Sequence, residues 1–436
     1  MTFFTDFQTR QDLNLLDRYS NKSVFAVFNN VKTAGASRLL EKMFNNPLTD
    51  HEAINFRSSI FKYFQEINIQ FPIDAEAFSV TEVYLQGGGI GILSSLVSTA
   101  RIASLKMVGV SEEYNLRVRQ IQSTLKFCRQ LKEFVSRIIA CGAGNPLSKE
   151  LLKARDFLGN QTEAIELVSE KMPFPKILGY DRKFRVEINR HLRDLVELVH
   201  HLDLYIAVAA VSRTNGFSYA LAQAADNNNL SVTNCRNPLI KFAKGNNLEI
   251  NRNKNVLFLT GANMAGKSTL MKSVGIVLYL AHMGFPVSAD EMVFSVKDGL
   301  YTSINISDNL AQGYSHYYAE VRRVKEVAEA VSSSKKLFVI FDELFKGTNV
   351  KDAYDATLAV TQAFSKYKAC GFIISTHIIE VADNLKDAEE GIQFFYLPTA
   401  MNGKIPTYTY NLTQGVSDDR HGMILIENEG ILELLK

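Results

Sequence analysis

Residues 255–270, NVLFLTGANMAGKSTL, constrain this chain more than any other stretch. The apolar run 256–259 has the length and composition of a short buried strand. It stops at Gly261. Gly261-Ala262-Asn263-Met264-Ala265-Gly266-Lys267-Ser268 then fits the spacing G-x-x-x-x-G-K-[ST], followed by Thr269 and a helical pattern that runs to about Tyr279. A glycine-bounded loop between strand and helix lets backbone N–H groups turn inward, and the helix N-terminus adds a positive field. Residues 261–269 are therefore the candidate phosphate-binding set. Lys267 is placed to reach the β- and γ-phosphates, and the Ser268 hydroxyl to ligate Mg²⁺. A chance match in a glycine-containing turn is the competing explanation, and the flanking strand and helix weigh against it.

A second apolar run, 336–341 (KLFVIF), ends in Asp342-Glu343. Carboxylates at the C-terminal end of a strand in an α/β sheet sit where phosphates bind. Asp342 is the candidate for holding Mg²⁺ together with Ser268. Glu343 is the candidate for orienting or deprotonating the attacking water. A third run, 371–374, ends in Ser375-Thr376-His377, and His377 is a candidate γ-phosphate sensor. Without the phosphate loop, an Asp-Glu pair after a strand would read as an ordinary solvated turn.

The 436 residues suffice for two or three domains. A formal net charge of +2 is too small to announce a nucleic-acid partner. Cys128, Cys141, Cys235 and Cys370 show no metal-ligand or CxxC spacing and fit buried thiols in a reducing cytosol. The N-terminus lacks a basic region before an apolar core, so it does not read as a signal peptide. The apolar stretches 204–211 and 276–280 are far short of a membrane span. A cytoplasmic, soluble protein is expected.

Residues 1–211 read as mostly helical. Pro47-Leu48-Thr49-Asp50 breaks one pattern, and Thr49 or Asp50 can cap the helix that follows. Gly87-Gly88-Gly89 marks a loop or break. A long stripe carries Val118, Ile121, Leu125, Cys128, Leu131, Val135 and Ile138. Residues 151–167 read as helix, and 186–211 as one long helix. From about 230 short apolar runs alternate with helices. The expected domains are 1–211, helical, and 212–436, a phosphate-loop α/β fold. In the long helix, Arg119, Lys126 and Arg129 lie among several basic residues. A solvated helix face and a duplex-contacting face both account for them.

Several of these motifs together resemble the MutS family of DNA mismatch-repair ATPases. The loop 261–269 resembles that family's nucleotide loop. Ser307-Asp308-Asn309-Leu310-Ala311-Gln312-Gly313-Tyr314-Ser315 looks like the stretch that reaches the opposite subunit's nucleotide. Asp342-Glu343 and Ser375-Thr376-His377 resemble its Walker B turn and histidine switch. Upstream, Lys32-Thr33-Ala34-Gly35 and Asn46-Pro47-Leu48 look like the start of its helical core domain, and Cys235-Arg236-Asn237-Pro238 like the entry to its ATPase domain. The resemblance implies a helical lever joined to an ABC-like ATPase, with ATP and Mg²⁺ as cofactors, and a homodimer with shared sites in which Ser315 caps the partner's ATP.

The family's mismatch-reading and connector domains find no match here, so a short MutS-like protein is expected. The Phe64-Gln65-Glu66 string matches the family's mismatch wedge but lies in the core-domain helix and reads as coincidence. The resulting expectation is ATP hydrolysis driving an ATP-dependent dimeric clamp on double-stranded or branched DNA. An ABC-type ATPase and a nucleotide-gated scaffold, neither acting on DNA, stay open as alternatives.

Overall fold

A computed structural model describes residues 2–16, 22–87, 112–142, 144–161, 174–262, 264–304, 316–388, 391–402, 405–417 and 434–435. The chain forms two compact units, Met1–Phe28 with Met43–Ser58 and Val211–Lys436, and Asn29–Lys42 with Ser59–Ala210. The units therefore interleave in sequence. Residues 1–28 and 43–58, expected in the helical domain, group instead with the α/β part.

The helical unit contains all or part of α3 (Ala34–Asn45), α4 (His51–Ile67), α5 (Ala75–Gln86), α6 (Glu112–Ala140), α7 (Ser148–Gly159), α8 (Phe174–Arg182) and α9 (Asn189–Asn215). Asp50, one of the two expected caps, starts α4 by accepting from Glu52 N at 2.9 Å. The expected stripe on α6 is buried at Ile121, Leu125, Cys128, Leu131, Val135 and Ile138, while Val118 at its start is only half-buried. Phe64 stacks on Tyr205 at 6.0 Å inside this core, which is a packing role.

Two helix expectations need correction. Residues 186–211 are not one helix. A π-turn spans Lys183–Glu187, Ile188 leaves helical geometry at φ −120°, and α9 starts at Asn189 and runs on to Asn215. A periodic apolar stripe does not register one inserted residue, which is what a π-turn adds. Helix α7 ends at Gly159, and residues 162–167 lie outside the described residues. Helix α9 is long and apolar enough to cross a membrane by length and composition, which the short runs 204–211 and 276–280 did not suggest. Within this protein 78 % of its apolar window is buried, as in a core helix.

In the α/β unit the main sheet has six strands in the order β14 (Thr413–Gln414), β11 (Ile392–Tyr396), β5 (Val256–Thr260), β10 (Gly371–Ser375), β9 (Leu337–Phe341), β8 (Gly299–Ser303). All pairings are parallel except that of β14 with β11. Strands β5, β8, β9 and β10 are buried along their whole length. That is why they read as continuous apolar runs rather than alternating ones. Helices α10 (Lys267–His282), α11 (His316–Ser332), α12 (Val350–Ser365) and α13 (Ile379–Ala388) belong to the same unit. A smaller sheet orders β2 (Leu221–Gln223), β7 (Glu291–Ser295), β3 (Leu230–Cys235) and β4 (Asn246–Ile250). On the far side of β8, Phe4 makes a parallel bridge to Gly299.

Candidate nucleotide site

The site begins with register. Ser375 on β10 pairs with Leu259 on β5, and Ile374 pairs with Phe341 on β9. The chain segments that leave these three strands, at Gly261, Thr376 and Asp342, therefore emerge along one C-terminal edge. Ligands of open α/β sheets bind at that edge.

The loop after β5 turns on residues with positive φ: Gly261 at +131°, Met264 at +72° and Gly266 at +100°. Glycine adopts such angles without strain. Gly266 has a second constraint, since a methyl group there would lie 2.9 Å from Tyr410 Cδ1. Gly266 is also the N-cap of α10 and supplies no side-chain acceptor. The first amides of α10 thus lack the usual capping oxygen, and a phosphate could supply one. Lys267, 5 % exposed, donates from Nζ to Gly261 O at 2.7 Å and Ala262 O at 3.2 Å. Burial pushes its pKa below the ordinary lysine value, and the Glu343 and Asp342 carboxylates act in the opposite direction. An ammonium held on two loop carbonyls, with two carboxylates in electrostatic reach, is poised to transfer to phosphate oxygens. Ser268 and Thr269 are exposed at the start of α10, and Asn263 lies outside the described residues.

Asp342 and Glu343 are joined by Ser375, a role that its place in the Ser375-Thr376-His377 motif does not reveal. Ser375 Oγ donates to Asp342 Oδ1 at 2.5 Å and accepts from Glu343 N at 3.1 Å. Glu343 N also donates to Ser375 O at 3.1 Å. Glu343 and Phe345 sit at φ +54° and +61°, so this turn is held in a conformation that costs energy for side chains other than glycine. His377, exposed, follows Ser375 by two residues on the same edge. Ser315 lies outside the described residues. Among the described residues no group of three or more His, Cys, Asp or Glu forms a metal site. Ser268 and Asp342 instead present hard oxygens of the kind Mg²⁺ takes alongside water and phosphate oxygens.

Beside the phosphate loop lies a cleft of about 330 Å³, lined among others by Ile240, Phe242, Gly266, Thr269, Leu397 and Tyr410. Phe242 is 93 % exposed and sits at φ +60°. Asn246 Nδ2 donates to Tyr410 O at 3.0 Å and steadies the segment opposite. An apolar cleft with open aromatic faces next to a phosphate loop suits a purine base. Gly266 and Thr269 belong to the expected phosphate-binding set, but nothing local in the sequence marked Ile240, Phe242, Leu397 or Tyr410, which come from two segments far apart in the chain.

The basic helix is less open than its charge suggests. Arg119 pairs with Glu76, and Lys126 donates to Asp74 Oδ2 at 2.5 Å. Asp74 also caps α5, and the Lys126 hydrogen bond holds its carboxyl below the ordinary pKa. Arg129 lines the same exposed groove.

Residues 257–433 match the family model described as MutS domain V. The chain is MutS-like. It is 25 % identical over 397 residues to the DNA mismatch repair protein MutS of Fusobacterium nucleatum, covering 84 % of this chain and 42 % of that protein. It is 27 % identical over 206 residues to MutS of Clostridioides difficile, 46 % of this chain and 21 % of the relative. It is 27 % identical over 245 residues to MutS of Pseudothermotoga lettingae, 55 % and 29 % respectively. The MutS-like chain thus spans less than half the length of these relatives.

Proposed function

We propose that this MutS-like chain is a Mg²⁺-dependent ATPase that works in the cytoplasm as an ATP-dependent homodimer, using hydrolysis to operate a clamp on double-stranded or branched DNA. The observation that carries the ATPase reading is the Asp342–Ser375–Glu343 linkage on the same sheet edge as Lys267. Lys267 exchanges the carbonyls of Gly261 and Ala262 for phosphate oxygens. The free amides at the start of α10 complete the phosphate cradle. The base lies against Phe242 and Tyr410. Ser268 and Asp342 hold Mg²⁺, which when bound neutralises charge on the phosphate oxygens. Glu343 orients the attacking water, and His377 senses the γ-phosphate. Ser315 caps the nucleotide of the partner, and residues 29–42 with 59–210 act as the lever.

One observation favours a second reading, in which the nucleotide cycle serves a machine that does not act on DNA. Arg119 and Lys126 already have carboxylate partners, so they reach a duplex only by leaving Glu76 and Asp74. Two assays together test the proposal. In phosphate release, Lys267→Ala should lose tight ATP binding, and Glu343→Gln should keep ATP and lose turnover. In gel shifts over homoduplex, mismatched and branched DNA, the Arg119, Lys126 and Arg129 triple Ala variant should weaken all sequences alike. Its salt slope should flatten by about one unit for each phosphate no longer neutralised. Parental turnover in Glu343→Gln removes the assigned role of Glu343, and no shift with any DNA selects the second reading.

A further inference from the structure

The segment 3–13 touches two parts of the nucleotide machinery from the far edge of the sheet. Phe4 N donates to Asp298 O at 2.8 Å and Phe4 O accepts from Leu300 N at 3.0 Å, which lays the segment along β8. A short helix, α1 (Phe7–Asp12), follows and aims polar groups inward. Asp12, 4 % exposed, accepts through Oδ2 from Thr302 Oγ1 at 2.7 Å and from Ile304 N at 2.9 Å. Thr9 Oγ1 accepts from Thr302 N at 2.9 Å. Asp6 pairs with Arg323, which also donates to Thr302 O at 2.7 Å. Ile304 and α11 are the two described flanks of the stretch 305–315.

The same segment also grips α10, the helix that opens at Lys267. A methyl group added at Gly275 would lie 2.8 Å from Leu13 Cδ2 and 3.1 Å from Leu13 Cδ1, closer than to its other neighbour, Ile340 Cδ1 at 3.3 Å. Phe3 lies 4.1 Å from the His282 ring and 6.2 Å from the Tyr279 ring, centroid to centroid. Hydrogen bonds to an ionised carboxylate are roughly twice as strong as neutral ones. Two of them converging on one buried oxygen fix the main chain at Ile304 against α1, and Leu13 fixes α1 against α10.

We propose that residues 3–13 form a strap that sets the flanks of the Ser315 stretch relative to the phosphate-loop helix, with Asp12 its central positioning residue. The inference rests on the reading above, in which Ser315 caps the partner's nucleotide. Under it, Asp12 matters for the site that a subunit offers its partner and not for the nucleotide that the same subunit binds.

The test uses the full chain and the β,γ-imido analogue of ATP. Nucleotide affinity is read with a fluorescent derivative and self-association by sedimentation velocity. Asp12→Ala should hold nucleotide within about twofold of the parent while nucleotide-driven association weakens about tenfold or more, as coupling between two sites requires. Asp12→Asn keeps one acceptor oxygen but loses the charge, and should fall between the parent and Asp12→Ala. Gly275→Ala, which pushes Leu13 with a single methyl group, should reproduce the Asp12→Ala pattern, and adding Leu13→Ala should restore association. This pair decides the matter if Asp12→Ala fails to fold. Ser315→Ala is measured beside them. Weakened association in Ser315→Ala with parental association in both Asp12→Ala and Gly275→Ala overturns the strap alone. Parental association in Ser315→Ala overturns the shared-site reading and the strap with it. Parallel loss of nucleotide affinity and association in Asp12→Ala and Gly275→Ala overturns positioning in favour of a general structural role.

Discussion

Ser375→Ala removes one hydroxyl that bonds both Asp342 and Glu343. The side chain is fully buried, donates to Asp342 Oδ1 at 2.5 Å and accepts from Glu343 N at 3.1 Å. A hydrogen bond to a charged group contributes about 1.5–3 kcal/mol. If that orientation is felt wholly in the transition state, turnover falls by roughly 10- to 150-fold. Ground-state nucleotide binding should change little, because Lys267 and the amides of α10 do not depend on Ser375. The assay is phosphate release at saturating ATP and Mg²⁺, paired with a fluorescent-nucleotide titration. A kcat within about twofold of the parent would refute the reasoning, since even the weakest such bond predicts about tenfold. So would a loss of nucleotide binding as deep as that of Lys267→Ala, because Ser375 would then support the whole loop rather than the hydrolytic pair.

Phe242→Ala should raise the Kd for ATP and ADP alike, since stacking of a base on an aromatic ring is worth roughly 1–3 kcal/mol; unchanged titrations would move the base out of the cleft beside Tyr410. His282 predicts a pH dependence of stability. Its Nδ1–H donates to Leu48 O at 2.8 Å and its Nε2 accepts from Lys297 N at 3.3 Å, so the neutral ring is fully used. Burial lowers its pKa to about 3. The unfolded chain therefore takes up the proton first, near the ordinary histidine pKa of about 6.5, and the stabilisation is complete above that and lost as pH falls toward about 3. Between roughly pH 7.5 and 5.5 the loss from this one residue is about 1.4 kcal/mol. Denaturant titrations of the parent and His282→Gln across that range should differ in slope, and equal slopes would show that His282 does not stay neutral.

What the sequence could and could not reveal follows from how far apart the interacting residues are. The phosphate loop, Asp342-Glu343 and Ser375-Thr376-His377 were legible because each joins a strand buried on both faces to a short polar turn, and both signals are local. The role of Ser375 was not legible, because it depends on parallel register across three strands rather than on neighbours in sequence. The N-terminal segment was grouped with the helices for the same reason. Asp6 finds Arg323 across 317 positions and Asp12 finds Thr302 across 290, and periodicity carries no information at that range. Arg119 and Lys126 were readable as a basic stripe, but their acidic partners Glu76 and Asp74 lie 43 and 52 positions earlier. Charge runs do not announce their own neutralisation. The π-turn at Lys183–Glu187 escaped because the apolar stripe continues on both sides of it.

The central claim is that two subunits complete each ATP site, and subunit mixing tests it most directly. On that claim Ser315→Ala and Lys267→Ala subunits should each fail alone, since every site in either homodimer would lack one essential group. A heterodimer of the two concentrates both defects in one site and leaves the other intact. The account predicts that the mixture hydrolyses ATP faster than the mean of its parents and sediments as a dimer with ATP. A mixture no faster than that mean, sedimenting as monomers at saturating ATP, would contradict it.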